Sequence, residues 1–164
     1  MITTLILSLV LMAAMFGMIW AAVALIQKKK FYSSAPKDIQ DAIIERSERF
    51  RGARLIGYAI AFLCLAVFPA VFIFAGWDGV RQGYNFWMFF GRYIAILYLL
   101  KAFDIIFLDW FLLTKSHFYQ HYAPETEGCE GYRQFGFNKK QHIIHIIIFP
   151  FIALIAAGIC TLFI

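Results

Sequence analysis

Charge is what this chain has least of. Lys, Arg, Asp and Glu together make up 15% of its 164 residues, against 62% hydrophobic. A soluble domain of this length needs far more polar surface, and a mean hydropathy of +0.72 excludes one. Cysteine is sparse too: Cys64, Cys129 and Cys160 are isolated, with no C-x-x-C pair. That excludes a disulfide framework and a thiol relay. Also missing are a G-x-x-x-x-G-K-[ST] phosphate loop, a nucleophile elbow, a Ser-His-Asp order and a Rossmann glycine pattern. No basic stretch precedes the first apolar run, so that run reads as a retained membrane anchor and not as a cleaved signal.

What the chain has in abundance is long apolar runs. Four can be marked, at about 2–26, 55–76, 86–114 and 143–164, each reaching the roughly 20 residues that cross a hydrocarbon core. They predict an all-α polytopic membrane protein: one four-helix transmembrane bundle using nearly the whole chain. Basic residues set its orientation. Eight Lys and Arg lie in 27–54 and four in 115–142, against Arg81 between the second and third runs and Arg92 near the start of the third. Twelve against two predicts a bacterial inner-membrane protein with both termini outside and segments 27–54 and 115–142 in the cytoplasm. The net charge of +5 then describes a face turned to anionic lipid headgroups, not a nucleic-acid site.

Within 27–54, Ser33, Ser34 and Pro36 offer a helix start, and Ile39, Ile43 and Phe50 fall on one face opposite Glu45–Arg49 and Glu48–Arg51 pairs. The pattern predicts an amphipathic helix at the inner headgroup level, running into the second span near Leu55. Pro69 and Pro150 each remove a backbone donor inside a span. Bends are expected there, with the carbonyl of Leu65 or Ile146 left to receive a polar partner. The connection from Trp77 to Arg92 is short and aromatic, with Trp77, Tyr84, Phe86 and Trp87 as interface anchors, and suggests no chemistry.

Two constellations carry candidate chemistry. Lys101, Asp104 and Asp109 interrupt the third run, and charges at membrane depth are costly enough to be functional candidates. Lys101 and Asp104 are three apart and neighbours on a helix, while Asp109 lies about 80° around and roughly 12 Å further along it. Such a set either fixes helix rotation or serves as a ligand or proton site. The second constellation is His117 with His121, at i, i+4, and His142 with His145, at i, i+3. Glu125, Glu127, Glu130 or Cys129 on the intervening loop could complete a metal shell, for which Zn²⁺ or Fe²⁺ suits His and carboxylate ligands better than Mg²⁺. Four histidines are too few for a His-rich di-iron desaturase pattern, and two adjacent pairs do not favour a bis-His haem.

The stretch Phe103-Asp104-Ile105-Ile106-Phe107-Leu108-Asp109-Trp110, followed by Pro124-Glu125-Thr126-Glu127-Gly128, Gly131-Tyr132 and Phe135-Gly136, resembles a group of small bacterial four-span membrane proteins of unknown function. There an F-D-x-x-x-L-D-W helix end precedes a P-G-T-E-G-like loop; here Glu125 stands where glycine is usual. The resemblance implies that Asp104, Asp109, Glu127 and Gly128 belong to one site, and it brings no reaction with it.

Three functions fit these residues. The first is a protein that binds or transports a small polar or lipidic ligand through the intramembrane Lys/Asp site, with a homodimer needed to surround a path. The second is a metal-dependent membrane enzyme acting on lipid or isoprenoid substrates, with Asp109 as acid or base. The third is an accessory subunit of a larger membrane complex.

Overall fold

A computed structural model of the chain describes residues 1–32 and 35–163. Ser33 and Ser34, offered above as a helix cap, lie outside the described residues, as does Ile164. Among the described residues every regular element is helical. Three helices among the described residues are long and apolar enough to cross a membrane: Ile2–Ile26, made of α1 (Ile2–Ala21) and a π-helical turn (Ala22–Ile26), then α3 (Ala53–Arg81) and α6 (Lys139–Thr161). The most apolar window of α3 is only 17% buried and that of α6 only 11%. Apolar faces of that extent are stable only against lipid or another protein. In α1 the buried Ser8 hydroxyl is satisfied locally, donating to the Thr4 carbonyl at 2.9 Å.

The third run is divided. Its first part is α4 (Phe86–Phe103), an eighteen-residue α-helix carrying Arg92 and Lys101. Its second part, Asp104–Lys115, winds as a π-helix. A wider turn changes the angle per residue, so the α-helical spacing assumed for Asp109 relative to Lys101 no longer fixes where Asp109 points.

The chain forms two compact units. The first consists of Met1–Ala14, Ala66–Phe103 and Asn138–Ile164. Its core joins Leu7 and Leu11 of α1, Val71 and Ala75 of α3, Phe89, Tyr93, Ile96 and Leu97 of α4, and Ala153 and Ala157 of α6. The two alanines, four apart and fully buried, let the α4 and α6 backbones approach closely, as small residues do between membrane helices. Gly79 acts similarly inside this unit: a Cβ there would lie 2.3 Å from the Phe89 ring.

The second unit consists of Met15–Leu65 and Asp104–Phe137. Here the two polar connections fold onto each other. The expected amphipathic helix is reduced to α2 (Lys37–Ala42), begun at Pro36 and ended by extended backbone at Ile43. The cause is tertiary. The Ile44 amide donates to Glu125 Oε1 at 3.2 Å and Arg46 pairs with the same carboxylate, so those groups are engaged across the unit rather than along a helix. A short helix α5 (Phe118–Tyr122) and 3₁₀ turns at Pro124–Thr126 and Glu130–Arg133 complete the opposing side. Asp38 Oδ2 accepts from the Gly131 amide at 2.7 Å. Gly131 has to be glycine, because a Cβ would lie 2.4 Å from Asp38 and 2.6 Å from Pro36.

Candidate functional site

Lys101 lies near the end of α4 and is only 6% exposed. Its Nζ is 3.2 Å from Nδ1 of His145 on α6. The imidazole is held by a parallel contact with Phe149, ring centroids 5.8 Å apart at 11°. One turn back along α4, the Tyr98 hydroxyl donates to the Ile146 carbonyl at 3.2 Å. That carbonyl is the one Pro150 deprives of its helical donor, so the vacancy expected from sequence at Ile146 receives a polar partner. Tyr98 and Lys101 thus tie α4 to α6 by two hydrogen bonds on neighbouring turns. In the Lys101–His145 contact one nitrogen donates and the other accepts.

No family model, curated protein or solved structure matches this chain.

The two carboxylates assigned to the same site as Lys101 belong to the π-helical segment, Asp104 at its start and Asp109 midway. In the second unit their charges act on Tyr119. Burial first, then Asp109, Tyr132, Tyr32 and Asp104, raise the Tyr119 phenol far above its ordinary value. Tyr32 and Tyr119 have ring centroids 6.4 Å apart. Burial, with help from Glu125, pushes Tyr32 up to about 12. Burial also pushes Tyr132 up to about 12, although its hydrogen bond to Thr126 Oγ1, 2.6 Å long, works the other way. These tyrosines stay neutral at physiological pH and serve as hydrogen-bonding partners, not as bases. Spacing gave no hint of them, since they come from both connections of the unit.

The four-histidine metal site is not assembled. Among the described residues no group of three or more His, Cys, Asp or Glu side chains is placed to hold a metal ion. The helix that was to carry His117 and His121 ends at Lys115, leaving His117 at the cap of α5 and His121 in its last turn, edge-on to Tyr122 at 4.8 Å. His142 and His145 share α6 as expected, and His145 is engaged by Lys101. The loop ligands are used otherwise. Glu125 pairs with Arg46, Cys129 lies 3.9 Å from the Asp38 carbonyl, and Glu127 is exposed beside Gly128, whose φ of +90° makes the turn.

One cluster was passed over in sequence. Arg92, 4% exposed, donates through Nη1 to the Ala75 carbonyl and Asp78 Oδ2, both at 2.8 Å, and through Nη2 to the Tyr84 hydroxyl at 2.6 Å. Gln82 donates to the same Asp78 oxygen at 2.7 Å. This clamp closes the hairpin between α3 and α4. The available signal was an arginine set inside Phe89-Phe90-Gly91-Arg92-Tyr93-Ile94, too apolar a context for a solvated charge.

Proposed function

We propose that the chain is a four-span membrane protein that binds a small anion together with a proton at an intramembrane site centred on Lys101 and His145. The observation that carries the reading is a lysine 6% exposed whose Nζ lies 3.2 Å from an imidazole nitrogen on a helix long and apolar enough to cross a membrane. The helical run formed by α4 and the π-helical segment supplies the fourth crossing. The distribution of Lys and Arg supports an orientation with both termini outside.

The chemistry follows from two basic groups set 3.2 Å apart. Were both protonated, their repulsion would be about 5 kcal/mol at an effective dielectric of about 20, and an anion bound beside them would offset it. That offset links proton and anion binding, and in a dimer that surrounds a path it becomes co-transport.

The test uses proteoliposomes containing a trapped pH indicator and an inward gradient of chloride, nitrate or succinate. At least one anion is expected to drive internal acidification well above that of protein-free vesicles. Lys101→Met should slow it at least tenfold while leaving the protein monodisperse on size exclusion. No acidification with any of the three, or an unchanged rate in the variant, overturns the reading.

A further inference from the structure

The second unit contains a polar cleft of about 350 Å³, lined by Gln27, Arg46, Ser47, Arg49, His121 and Tyr122, with Glu48 at one side. We infer that this cleft binds a phosphate-bearing anionic group, independently of the Lys101–His145 site. Its volume falls within the range of small-ligand pockets and exceeds what a single ion would fill.

The lining is fixed by contacts that leave its cations facing one space. Arg46 is held by the Glu125 carboxylate, and its own carbonyl accepts from Arg54. The Arg49 guanidinium lies over the Tyr122 ring, 5.6 Å from the centroid, and among the described residues it has no ion pair. Gln27 is brought in by the end of the first span. The π-helical turn Ala22–Ile26 closes with Gln27 at φ 50° in the left-handed region, and its side-chain amide donates to the Tyr122 carbonyl at 3.5 Å. Such π turns are rare and recur at functional sites. Glu48, the one acid at the cleft, accepts from the Gly52 amide at 2.9 Å, so part of its acceptor capacity is used by its own backbone. The Arg49 guanidinium, the His121 imidazole, the Ser47 hydroxyl and the Arg46 nitrogens not used by Glu125 remain as donors. Planar guanidinium forks are the side chains best matched to phosphate oxygens.

The same unit offers room for an acyl chain. A groove of about 420 Å³ is lined by Met18, Ala22, Phe31, Tyr58, Phe62 and Leu65. A smaller one of about 200 Å³ shares Met18, Ala22 and Phe31 with it and has Lys30 in its lining. An anionic phospholipid and a soluble phosphate compound present the same oxygens to the cleft, and only the lipid would also use the grooves.

The full chain, delipidated in a neutral detergent, is titrated calorimetrically with dihexanoyl phosphatidylglycerol and separately with inorganic phosphate. Variants are Arg49→Gln, which removes a cleft cation without breaking an ion pair, and Arg133→Gln, an exposed loss of the same charge outside the cleft. Saturable lipid binding, weakened at least tenfold by Arg49→Gln and unchanged by Arg133→Gln, supports the site and assigns a lipid. Saturable phosphate binding with the same dependence supports the site and assigns a soluble ligand. Saturable binding of neither, or equal weakening by the two variants, overturns it.

Discussion

Replacing Asp78 by Asn should destabilise the protein by an amount set by how deeply its partner is buried. The Arg92 side chain is 1% exposed and that of Asp78 19%. Removing one member of a fully buried ion pair costs about 3–5 kcal/mol, because the remaining charge is stranded away from water. Here Arg92 keeps two neutral acceptors, the Ala75 carbonyl and the Tyr84 hydroxyl, and Asp78 keeps some contact with solvent. The loss is accordingly about 2–3 kcal/mol. For a chain of this length that lowers the melting temperature by about 4–12 °C. Thermal unfolding in one fixed detergent, followed by tryptophan fluorescence, measures it, with Trp77 next to the altered residue. The reasoning also predicts the double change. Asp78→Leu with Arg92→Met removes both charges and should recover most of the loss, since well-packed apolar replacements of a buried pair are often neutral. A shift below about 1 °C for Asp78→Asn, or a double variant no more stable than the single, would show that the clamp does not carry the hairpin.

Two further outcomes follow from other contacts. Tyr98→Phe leaves the Ile146 carbonyl without its donor, and should cost about 0.6–1 kcal/mol in detergent unfolding, in the range measured for hydrogen bonds between membrane helices; no change would mean that the break at Pro150 needs no partner. Tyr32 and Tyr132 ionise near 12 in the folded chain and near 10 when unfolded. The folded state therefore holds their protons longer, and stability present below about pH 10 is lost as pH rises toward about 12. Tyrosinate absorbance should show a late-ionising group that merges with the ordinary one on denaturation, and a single transition near 10 in the folded protein would contradict the burial described.

The apolar runs were legible because a helix that faces lipid needs nothing from the rest of the chain. Length and hydropathy placed Ile2–Ile26, α3 and α6, and the missing donor at Pro150 pointed to the Ile146 carbonyl. Contacts between distant segments were not legible. Helical spacing reports neighbours on one helix, so Lys101 could be matched to Asp104 but not to His145, forty-four positions on. Amphipathic periodicity extended the helix through Phe50, yet a carboxylate at position 125 takes the Ile44 amide and Arg46 and the helix stops at Ala42. The histidines were grouped by membrane level, whereas a metal needs three ligands converging on one point. Arg92 was counted as a loop charge because its partners lie off its own helix, Ala75 and Asp78 on the other arm of the hairpin and Tyr84 in the turn.

The bond between Asp38 and the Gly131 amide joins positions 93 residues apart, and the ribosome makes them in that order. At about 5–20 residues per second, Gly131 is synthesised roughly 5–19 s after Asp38. Throughout that interval the Lys- and Arg-rich segment lacks the Asp104–Phe137 stretch that completes its unit. Lys29 can already pair with Asp41 inside the segment, whereas Arg46 acquires Glu125 only after the third apolar run has been made. The polar unit can therefore close only after Gly131 has been made, and a truncation before Glu125 would leave its basic half permanently open.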